Sequence, residues 1–390
     1  MREVIIVGAV RTPVGRFRGA LSDVRADHLG AIVLQSLIAR AGIEPGAIDD
    51  VVFGCVTQVG EQCGNIARTA LLSAGWPPAI PGMTVDRKCG SAEAALHVGY
   101  NAIAAGACDV VVTGGAENMT RVPMGGNRDV HGKPFGWKLL EQFEQVPQGE
   151  AAERVADRWN ITRSDLDEFA LASHQRAAAA ADGGYFAREI TPVPVRAWRE
   201  PEASGEPPDF TQDETIRRDT TLEKLAKLKT SFRADGRVTA GNSSQISDGA
   251  AALLLMSGDA TRKYGLKGLA RIRAVATVGS DPTLMLTGPI AATRRVLERA
   301  GLNLASIDLF EVNEAFASVP LMWSRELGVG QERLNVNGGA IALGHPLGAS
   351  GARIMTTLVH ELQRREARLG LQTICCAGGL ATATVLERIG

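Results

Sequence analysis

The 390-residue chain has only six cysteines, no long apolar run and almost no net charge, and each shortage excludes a class of protein. Its cysteines form no CxxC pair and have no zinc-ligand spacing, which excludes the common zinc modules. No apolar run approaches the roughly 20 residues that a transmembrane helix needs. A net charge of −1 gives no reason to expect nucleic acid or an anionic membrane as a partner. We therefore predict neither nucleic-acid nor membrane binding.

The apolar segment near the start, Val4–Val10, is short for a signal peptide and is followed by Arg11 and Pro13. Together with the low cysteine density, this predicts a cytoplasmic location. We expect the cysteines to be free thiols, either packed or reactive, at positions Cys55, Cys63, Cys89, Cys108, Cys375 and Cys376.

Apolar periodicity in the first third of the chain alternates between strand and helix patterns. Strands are predicted over Glu3–Gly8, Asp50–Gly54 and Asp109–Thr113, and helices over Leu29–Ala41, Asn65–Ala74 and Ser91–Ala105. The third strand is expected to end at Gly114. Such alternation favours an α/β fold with a mostly parallel sheet covered by helices, and the length predicts two or three domains.

The composition changes after Met119. Residues 120–137 are rich in Gly, Pro and Arg, and two helical patterns follow over Glu150–Trp159 and Ser164–Ala181. Core-strand character returns at Ala250–Met256. The intervening block, residues 120–246, is therefore predicted to be an insertion into the α/β unit.

The last third of the chain repeats the first. Ala41-Gly42-Ile43 matches Ala300-Gly301-Leu302, and Ser91 matches Ser350, both at an offset of 259 residues. Several matches in the same order at a common offset predict a duplicated α/β unit. A solenoid is excluded because its period would be far shorter.

Cys89 lies in the sequence Arg87-Lys88-Cys89-Gly90-Ser91, between a predicted strand and a helix. A helix N-terminus carries partial positive charge and free N–H groups, which favour a thiolate. Lys88 is expected to add to this effect, so the Cys89 pKa is predicted to lie below that of a free thiol. The plainer interpretation is a buried structural cysteine.

Three later stretches have the composition of functional loops. Asn313-Glu314-Ala315-Phe316 follows a predicted strand, His345 lies in a glycine-rich frame, and Cys375-Cys376 precede a glycine turn. Cysteine, histidine and asparagine are compatible with papain-like hydrolysis or with acyl transfer coupled to carbon–carbon bond chemistry. The duplication favours the second, and the absence of a Walker or GxGxxG pattern argues against a nucleotide site.

These motifs together resemble the thiolase family over nearly the whole chain. The resemblance rests on Cys89-Gly90-Ser91, Asn313–Phe316, Gly344-His345-Pro346, the Cys375 turn and Thr239–Ser244 in family order. It implies two duplicated α/β halves in a five-layer αβαβα arrangement with an inserted loop domain. The expected division is 1–119 with 247–268 as the first half, 120–246 as the coenzyme A-binding loop domain, and 269–390 as the second half.

The resemblance also implies an acyltransferase that thiolyses 3-ketoacyl-CoA or runs the reverse Claisen condensation. Cys89 would be the acylated nucleophile, His345 its base, Cys375 the second acid/base, and Asn313 the holder of a water in the oxyanion site. Arg217, Phe232, Ser244 and Phe316 match coenzyme A-binding positions. Coenzyme A and acyl-CoA would be substrates, with no permanently bound cofactor and no metal. A homodimer or homotetramer is implied.

Two departures from the family pattern bear on this assignment. Cys375-Cys376-Ala377-Gly378-Gly379 replaces the usual Cys-x-Gly-Gly-Gly, so either cysteine fits the acid/base position, with Cys375 favoured because it needs no gap. Pro147-Gln148-Gly149 stands where short-chain biosynthetic members carry His-Met-Gly, which favours substrates longer or bulkier than acetoacetyl-CoA. An acetoacetyl-CoA-specific enzyme is the alternative.

Two rivals from outside the thiolases are less compatible with the sequence. A decarboxylating ketoacyl synthase uses two histidines and lacks the Asn313–Phe316 signature. A non-catalytic, thiolase-like lipid-binding protein would be expected to lose Cys89 or His345, and both are present.

Overall fold

The strands form one mixed sheet. The computed structural model describes residues 2–128, 130–201, 203, 205 and 207–389. In chain order the strands are β1 (Val4–Arg11), β2 (Gly15–Arg16), β3 (Asp50–Gly54), β4 (Gly82–Val85), β5 (Val110–Asn118), β6 (Ser247–Ser257), β7 (Ala270–Gly279), β8 (Leu309–Val312), β9 (Leu369–Cys376) and β10 (Leu380–Arg388). Their order is β4-β3-β5-β6-β1-β7-β10-β9-β8, and β2 pairs with β6.

The prediction of a mostly parallel sheet is wrong. Only β3 with β4, β3 with β5, and β8 with β9 run parallel among the described strands, and the other pairs are antiparallel. The turn Ala377–Gly379 is too short for a crossover connection, so β9 and β10 must be antiparallel. Strand β6, which follows the insertion, likewise runs antiparallel to both β5 and β1.

Helices form three layers, one between the two halves of this sheet and one on each outer face. They are α1 (Ala26–Ala41), α2 (Ile66–Ser73), α3 (Ser91–Ala105), α4 (Trp137–Gln142), α5 (Gln148–Arg158), α6 (Arg163–Asp182), α7 (Val195–Trp198), α8 (Leu222–Ala226), α9 (Gly258–Lys263), α10 (Gly288–Ala300), α11 (Ser318–Leu327), α12 (Ala340–Leu343) and α13 (Ser350–Arg365). Helices α3 and α13 pack on each other and contact strands of both halves, while α1 and α10 cover the outer faces. This is the five-layer αβαβα arrangement expected from the resemblance.

The two halves have the same strand order. The set β3-β5-β6-β1 corresponds to β8-β9-β10-β7, and the halves join where Ile5 and Ile6 pair with Arg271 and Ala270. The central helices α3 and α13 begin at Ser91 and Ser350, the two serines that the repeat pairs. The predicted duplication is therefore present in the fold, and it places two helix N-termini near the centre of the molecule.

Most predicted elements lie within two or three residues of the observed ones, but β5 differs. It continues through Gly114 and Gly115 to Asn118, whereas the sequence predicted its end at Gly114. Pairing with β6 is the reason, because the register runs on to Asn118 opposite Asp248. Strand β6 is buried along its whole length between two helical layers, which explains its nearly continuous apolar sequence.

The segment between β5 and β6 adds helices α4 to α8 and, among its described residues, no strand of the sheet. Helix α5 packs on α11, and α6 packs on α12. Helices α5 and α6 therefore lie against the second half of the molecule, beside Asn313–Phe316, whereas Val193 and Asp213 contact the first half. No helix in the described ranges is long and apolar enough to cross a membrane.

Candidate active site

Four buried side chains meet where connections from both halves converge. Cys89 precedes α3, Asn313 follows β8, His345 precedes α13, and Cys375 ends β9. Cys89 packs with Leu347 from the His345 loop, and it lies close enough to Cys375 to contribute to the raised pKa of that thiol. The structure thus brings together the side chains that the sequence predicted to act together.

Burial controls the ionisation of Cys89. It raises the pKa of the thiol to about 11, and the backbone N–H groups of Cys89 and Ala377 and the Lys88 ammonium only partly offset this effect. The Lys88 charge is itself compensated, since its Nζ lies 2.6 Å from Asp86 Oδ2. The prediction of a thiol pKa below the free value is therefore wrong, because desolvation outweighs the helix N-terminus. Cys89 rests as a neutral thiol and needs a base when it attacks.

The imidazole of His345 is held in one tautomer. Ser350 Oγ lies 2.8 Å from the Pro346 carbonyl oxygen, which can only accept, so the hydroxyl proton points there. The Nδ1 atom of His345, 2.6 Å from the same Oγ, must then be the donor of that hydrogen bond. Nε2 is left as the acceptor nitrogen of the ring. Burial, with a contribution from the Arg353 charge, lowers the pKa of His345 to about 3, so the ring is neutral.

Each residue of Asn313–Phe316 has a separate task. The Asn313 amide Nδ2 donates to His345 Nε2 over 3.4 Å, and its buried Oδ1 has no hydrogen-bond partner among the described residues. The Glu314 carboxylate accepts from Ser173 Oγ and the Ile341 N–H, which ties this loop to α6 and α12. The Ala315 carbonyl accepts from the Ser244 N–H, and Phe316 lines the cavity in front of Cys89. Asn313 does not cap a helix, because α11 begins only at Ser318.

Cys375 and Cys376 point to opposite faces of β9. Cys375 packs in the same cluster as Met285 and Phe316, which both line the cavity in front of Cys89. Cys376 lies behind the start of α3, and a Cβ atom on Gly90 would come 2.6 Å from its sulfur. Burial, with the neighbouring Cys89 as a further cause, raises the pKa of both thiols. Of the two cysteines, Cys375 is the one that packs in a cluster with Met285 and Phe316.

The turn after Cys376 tolerates Ala377 in place of the usual glycine. The Ala377 N–H points at the Cys89 sulfur, and the residue does not adopt a positive φ. The left-handed positions are Gly378 and Gly379, with φ of 87° and 78°. A Cβ on Gly379 would also lie 2.6 Å from the Ser280 carbonyl oxygen. The substitution therefore keeps both the N–H group and the course of the turn.

A cavity of about 360 Å³ opens in front of Cys89. Phe232 and Phe316 stand edge to face on one side, with ring centroids 6.0 Å apart. Gly149 is required beside them, because a Cβ at this position would come 2.3 Å from the Phe232 ring. Met285 and Val146 extend the apolar wall. This side of the cavity suits a slender, partly apolar group that leads to the Cys89 sulfur.

The other two predicted coenzyme A residues line a separate depression. Arg217 and Ser244 lie there with Arg16, Phe17 and Ile246. The depression adjoins the Cys89 cavity through Ser243, which forms a bridge with Phe316. The structure therefore divides the predicted coenzyme A contacts into an inner pair, Phe232 with Phe316, and an outer pair.

The sequence did not identify two residues that position the site, Glu117 and Ser350. The Glu117 carboxylate accepts hydrogen bonds from the backbone N–H groups of Val56, Thr57 and Gly348, which joins the connections of the two halves. Its signal was a lone acid at the end of an otherwise apolar strand. Ser350 was noticed only as a partner of Ser91 in the repeat. Its bond to His345 could not be inferred, since it depends on the turn between them.

The described residues contain no group of three or more His, Cys, Asp or Glu side chains placed to hold a metal ion. The chemistry that the site offers is that of thiols, an imidazole and an amide. A neutral nucleophile, a neutral base and a second buried thiol support acyl transfer through a covalent thioester, followed by proton transfer at a carbon atom.

Comparison with known proteins gives the site a family context. Residues 4–259 match the thiolase N-terminal domain, and residues 266–388 match the thiolase C-terminal domain. The whole chain aligns with an acetyl-CoA acetyltransferase of Pseudomonas aeruginosa at 46% identity and with a 3-oxoadipyl-CoA/3-oxo-5,6-dehydrosuberyl-CoA thiolase of Escherichia coli at 45%, in each case over the full length of both proteins. The crystal structure of a Bacillus anthracis acetyl-CoA acetyltransferase superimposes with a TM-score of 0.92 at 40% identity, covering 100% of this chain and 99% of that one.

Proposed function

The chain belongs to the thiolase family and is an acyltransferase, and we propose that Cys89 carries the acyl group in a ping-pong thiolysis of 3-ketoacyl-CoA. The overall reaction of such an enzyme is cleavage of a 3-ketoacyl-CoA by coenzyme A, or the reverse condensation. The proposal assigns its steps to residues of this chain.

In the first step Cys89 Sγ attacks the 3-keto carbon and its proton passes to His345 Nε2. The bond between carbons 2 and 3 then breaks, which leaves the shortened acyl group on Cys89. The acetyl-CoA enolate takes a proton from Cys375 and departs. In the second half-reaction coenzyme A attacks the acyl thioester and its thiol proton goes to the Cys375 thiolate. Cys89 leaves as a thiol with the proton that His345 Nε2 returns to it.

The observation that carries this assignment is the fixed tautomer of His345. Its unprotonated Nε2 can accept the Cys89 proton, and once protonated it becomes a donor for the developing oxyanion. Asn313 supports the same oxyanion through a water, which its unpartnered Oδ1 is suited to bind. A second oxyanion site would use the N–H groups of Cys89 and Ala377. Loss of one such donor typically costs about 100- to 1,000-fold in rate.

Coenzyme A is proposed to reach Cys89 between Phe232 and Phe316, with Arg217 and Ser244 near its nucleotide end. Arg217, Phe232 and Ser244 belong to the inserted segment, residues 120–246, and Phe316 belongs to the connection that follows β8. We include in the proposal the division of the chain into two halves and a loop domain, the absence of a resident cofactor, a cytoplasmic location and a homodimer or homotetramer. Light scattering tests the assembly state.

The favoured substrate is proposed to be longer or bulkier than acetoacetyl-CoA. Pro147-Gln148-Gly149 stands where short-chain members carry His-Met-Gly, and the cavity of about 360 Å³ is also lined by Met124, Asn127 and Phe135. The 3-oxoadipyl-CoA/3-oxo-5,6-dehydrosuberyl-CoA thiolase is a relative whose name specifies longer substrates. The similarity to proteins named acetyl-CoA acetyltransferase, from P. aeruginosa and B. anthracis, supports the alternative that this chain prefers acetoacetyl-CoA.

One experiment tests both parts. Thiolysis rates are measured over 3-ketoacyl-CoAs of increasing chain length, and intact-mass spectrometry follows the acyl adduct in the absence of coenzyme A. We expect an adduct on Cys89, its loss in Cys89→Ala, and kcat/KM rising beyond four carbons. A maximum at four carbons would support the acetyltransferase alternative. No adduct and no thiolysis on any substrate would refute the mechanism.

A further inference from the structure

A second cavity of about 570 Å³ adjoins the one that contains Cys89. The two share the pair Asn127 and Arg128, Phe135, Lys88 and the turn Ala377–Gly378. We call this second cavity the outer lobe. An acyl chain that extends past Cys89 and the Ala377–Gly378 turn would enter it.

The lining of the outer lobe is cationic. It contains Lys88, Arg128, His131 and Lys133, and its described lining residues include no Asp or Glu. Lys88 is compensated by Asp86 at 2.6 Å. Arg128 and Lys133 form no ion pair or side-chain hydrogen bond with any described residue. The lobe therefore holds two cations that the described part of the chain does not neutralise.

The wall that leads to these cations is apolar. Leu347 and Met124 line the Cys89 cavity, Phe135 belongs to both cavities, and Val130 and Pro134 line the outer lobe. A neutral alkyl chain would fill the apolar part and leave the cations, which are exposed, to water alone. An acyl chain that ends in an anionic group would satisfy both parts.

From this geometry we infer that the enzyme favours 3-ketoacyl-CoA substrates whose acyl chain ends in a carboxylate, held by Arg128 and Lys133. The inference rests on the proposed function, because the thioester end must lie at Cys89. A guanidinium can bind a carboxylate through two parallel hydrogen bonds, and the ammonium adds a point charge. The two cations are thus proposed as specificity-determining residues.

The phosphates of coenzyme A are the other anions that could occupy the outer lobe. The proposed coenzyme A contacts lie elsewhere: Phe232 and Phe316 line the Cys89 cavity but not the outer lobe, and Arg217 lines the separate depression near Ser244. This placement leaves the outer lobe to the acyl chain. The experiment distinguishes the two anions.

The test compares 3-ketoacyl-CoAs of six and eight carbons that end either in a carboxylate or in a methyl group. For the wild type we expect kcat/KM to favour the carboxylate partner by about tenfold, a typical effect of a charged hydrogen bond. Arg128→Met and Lys133→Met should each reduce this preference, and the double variant should remove it. Activity of each variant on the methyl-ended substrates is the reference, and kcat/KM for the carboxylate-ended substrates should fall relative to it.

Lys138→Met is the matched control. Lys138 lies in the same segment but over the Trp137 ring, and it lines neither cavity, so the preference should persist. The wild-type preference should also weaken at high salt, because partly exposed charges are screened.

Three outcomes would overturn the inference. Equal or higher kcat/KM for the methyl-ended partner in the wild type would show that the cations do not select the acyl end. A rise in KM for coenzyme A with every acyl substrate, in Arg128→Met and Lys133→Met, would assign them to the phosphates. Failure of the wild type to thiolyse any substrate would refute the proposed function itself, and the inference with it.

Discussion

His345 Nδ1 lies 2.6 Å from Ser350 Oγ, and the same hydroxyl donates to the Pro346 carbonyl oxygen. The serine thus links the imidazole to the first turn of α13. Because the proton is placed on Nδ1, Nε2 is the acceptor nitrogen, and the Cys89 proton needs to displace only the 3.4 Å contact from Asn313 Nδ2. A base that is correctly oriented at rest loses little rate to unproductive tautomers.

Ser350→Ala should reduce kcat by about 10- to 100-fold, part of the 100- to 10,000-fold that a general base contributes. The imidazole would then be free to adopt the other tautomer. Thr356→Val is the control, since Thr356 Oγ1 also donates to a carbonyl four residues earlier on the same helix but does not contact His345. An equal loss of kcat in both variants would point to helix stability and not to the tautomer.

Cys375→Ala should abolish condensation, whereas Cys376→Ala should keep substantial activity. Cys375 packs in a cluster with Met285 and Phe316, which line the cavity, whereas Cys376 lies behind Gly90 at the start of α3. Condensation of acetyl-CoA is measured for each variant, and intact mass reports acetylation of Cys89. The expected Cys375→Ala enzyme still acetylates Cys89. The reverse pattern, with Cys376→Ala inactive in condensation, would contradict the assignment.

Gly149→Ala should raise KM for coenzyme A several-fold with little effect on thermal stability. The added Cβ would come 2.3 Å from the Phe232 ring, which is partly exposed and can swing away. The displaced ring would no longer stand edge to face with Phe316, and the proposed path of coenzyme A between the two rings would be disturbed. Gly46→Ala is a suitable control, because no atom lies within 4 Å of its added Cβ. An unchanged KM in Gly149→Ala would remove Phe232 from the coenzyme A path.

Glu93 makes stability depend on pH. It is buried on α3 behind Cys376, where Thr382 and Thr384 donate to its carboxylate and His97 lies at 4.0 Å. Burial raises its pKa from 4.5 to about 7 in the folded state, despite hydrogen bonds from Thr382, Thr384 and Gln372 that oppose the shift. His97 is itself neutral, since burial and the Arg87 charge lower its pKa to about 3. The folded state therefore binds this proton more tightly than the unfolded chain.

The stability that this proton contributes is fully present below pH 4.5 and is lost as the pH rises to about 7, where the loss amounts to about 3 kcal/mol. Glu93→Gln cannot ionise and should escape the loss. In urea unfolding, the variant should gain on the wild type between pH 5 and pH 8. Glu332→Gln, at an exposed position, should show no such gain. A parallel response of wild type and Glu93→Gln would contradict the raised pKa.

The sequence predicted the architecture because its main features are local or repeated. The Ser91 and Ser350 helix starts, the β3 and β8 strands, and the Cys89 and His345 loops each have a short signature. Strand directions were predicted less well, since the placement of β6 beside β5 depends on a pairing across the insertion. The Cys89 pKa was predicted with the wrong sign because helix position is visible in the sequence and burial is not.

The placement of β6 has a consequence for the order in which the chain can fold. Residues 119–246 separate β5 from β6, yet β6 lies between β5 and β1. During synthesis β1 and β5 therefore keep unpaired edges until residue 257 has been made. Unpaired strand edges can pair with other chains. His345 and Cys375 arrive later still, so nucleophile and bases meet only through contacts more than 250 residues apart. We expect slow, chaperone-sensitive maturation, with catalytic competence as its last event.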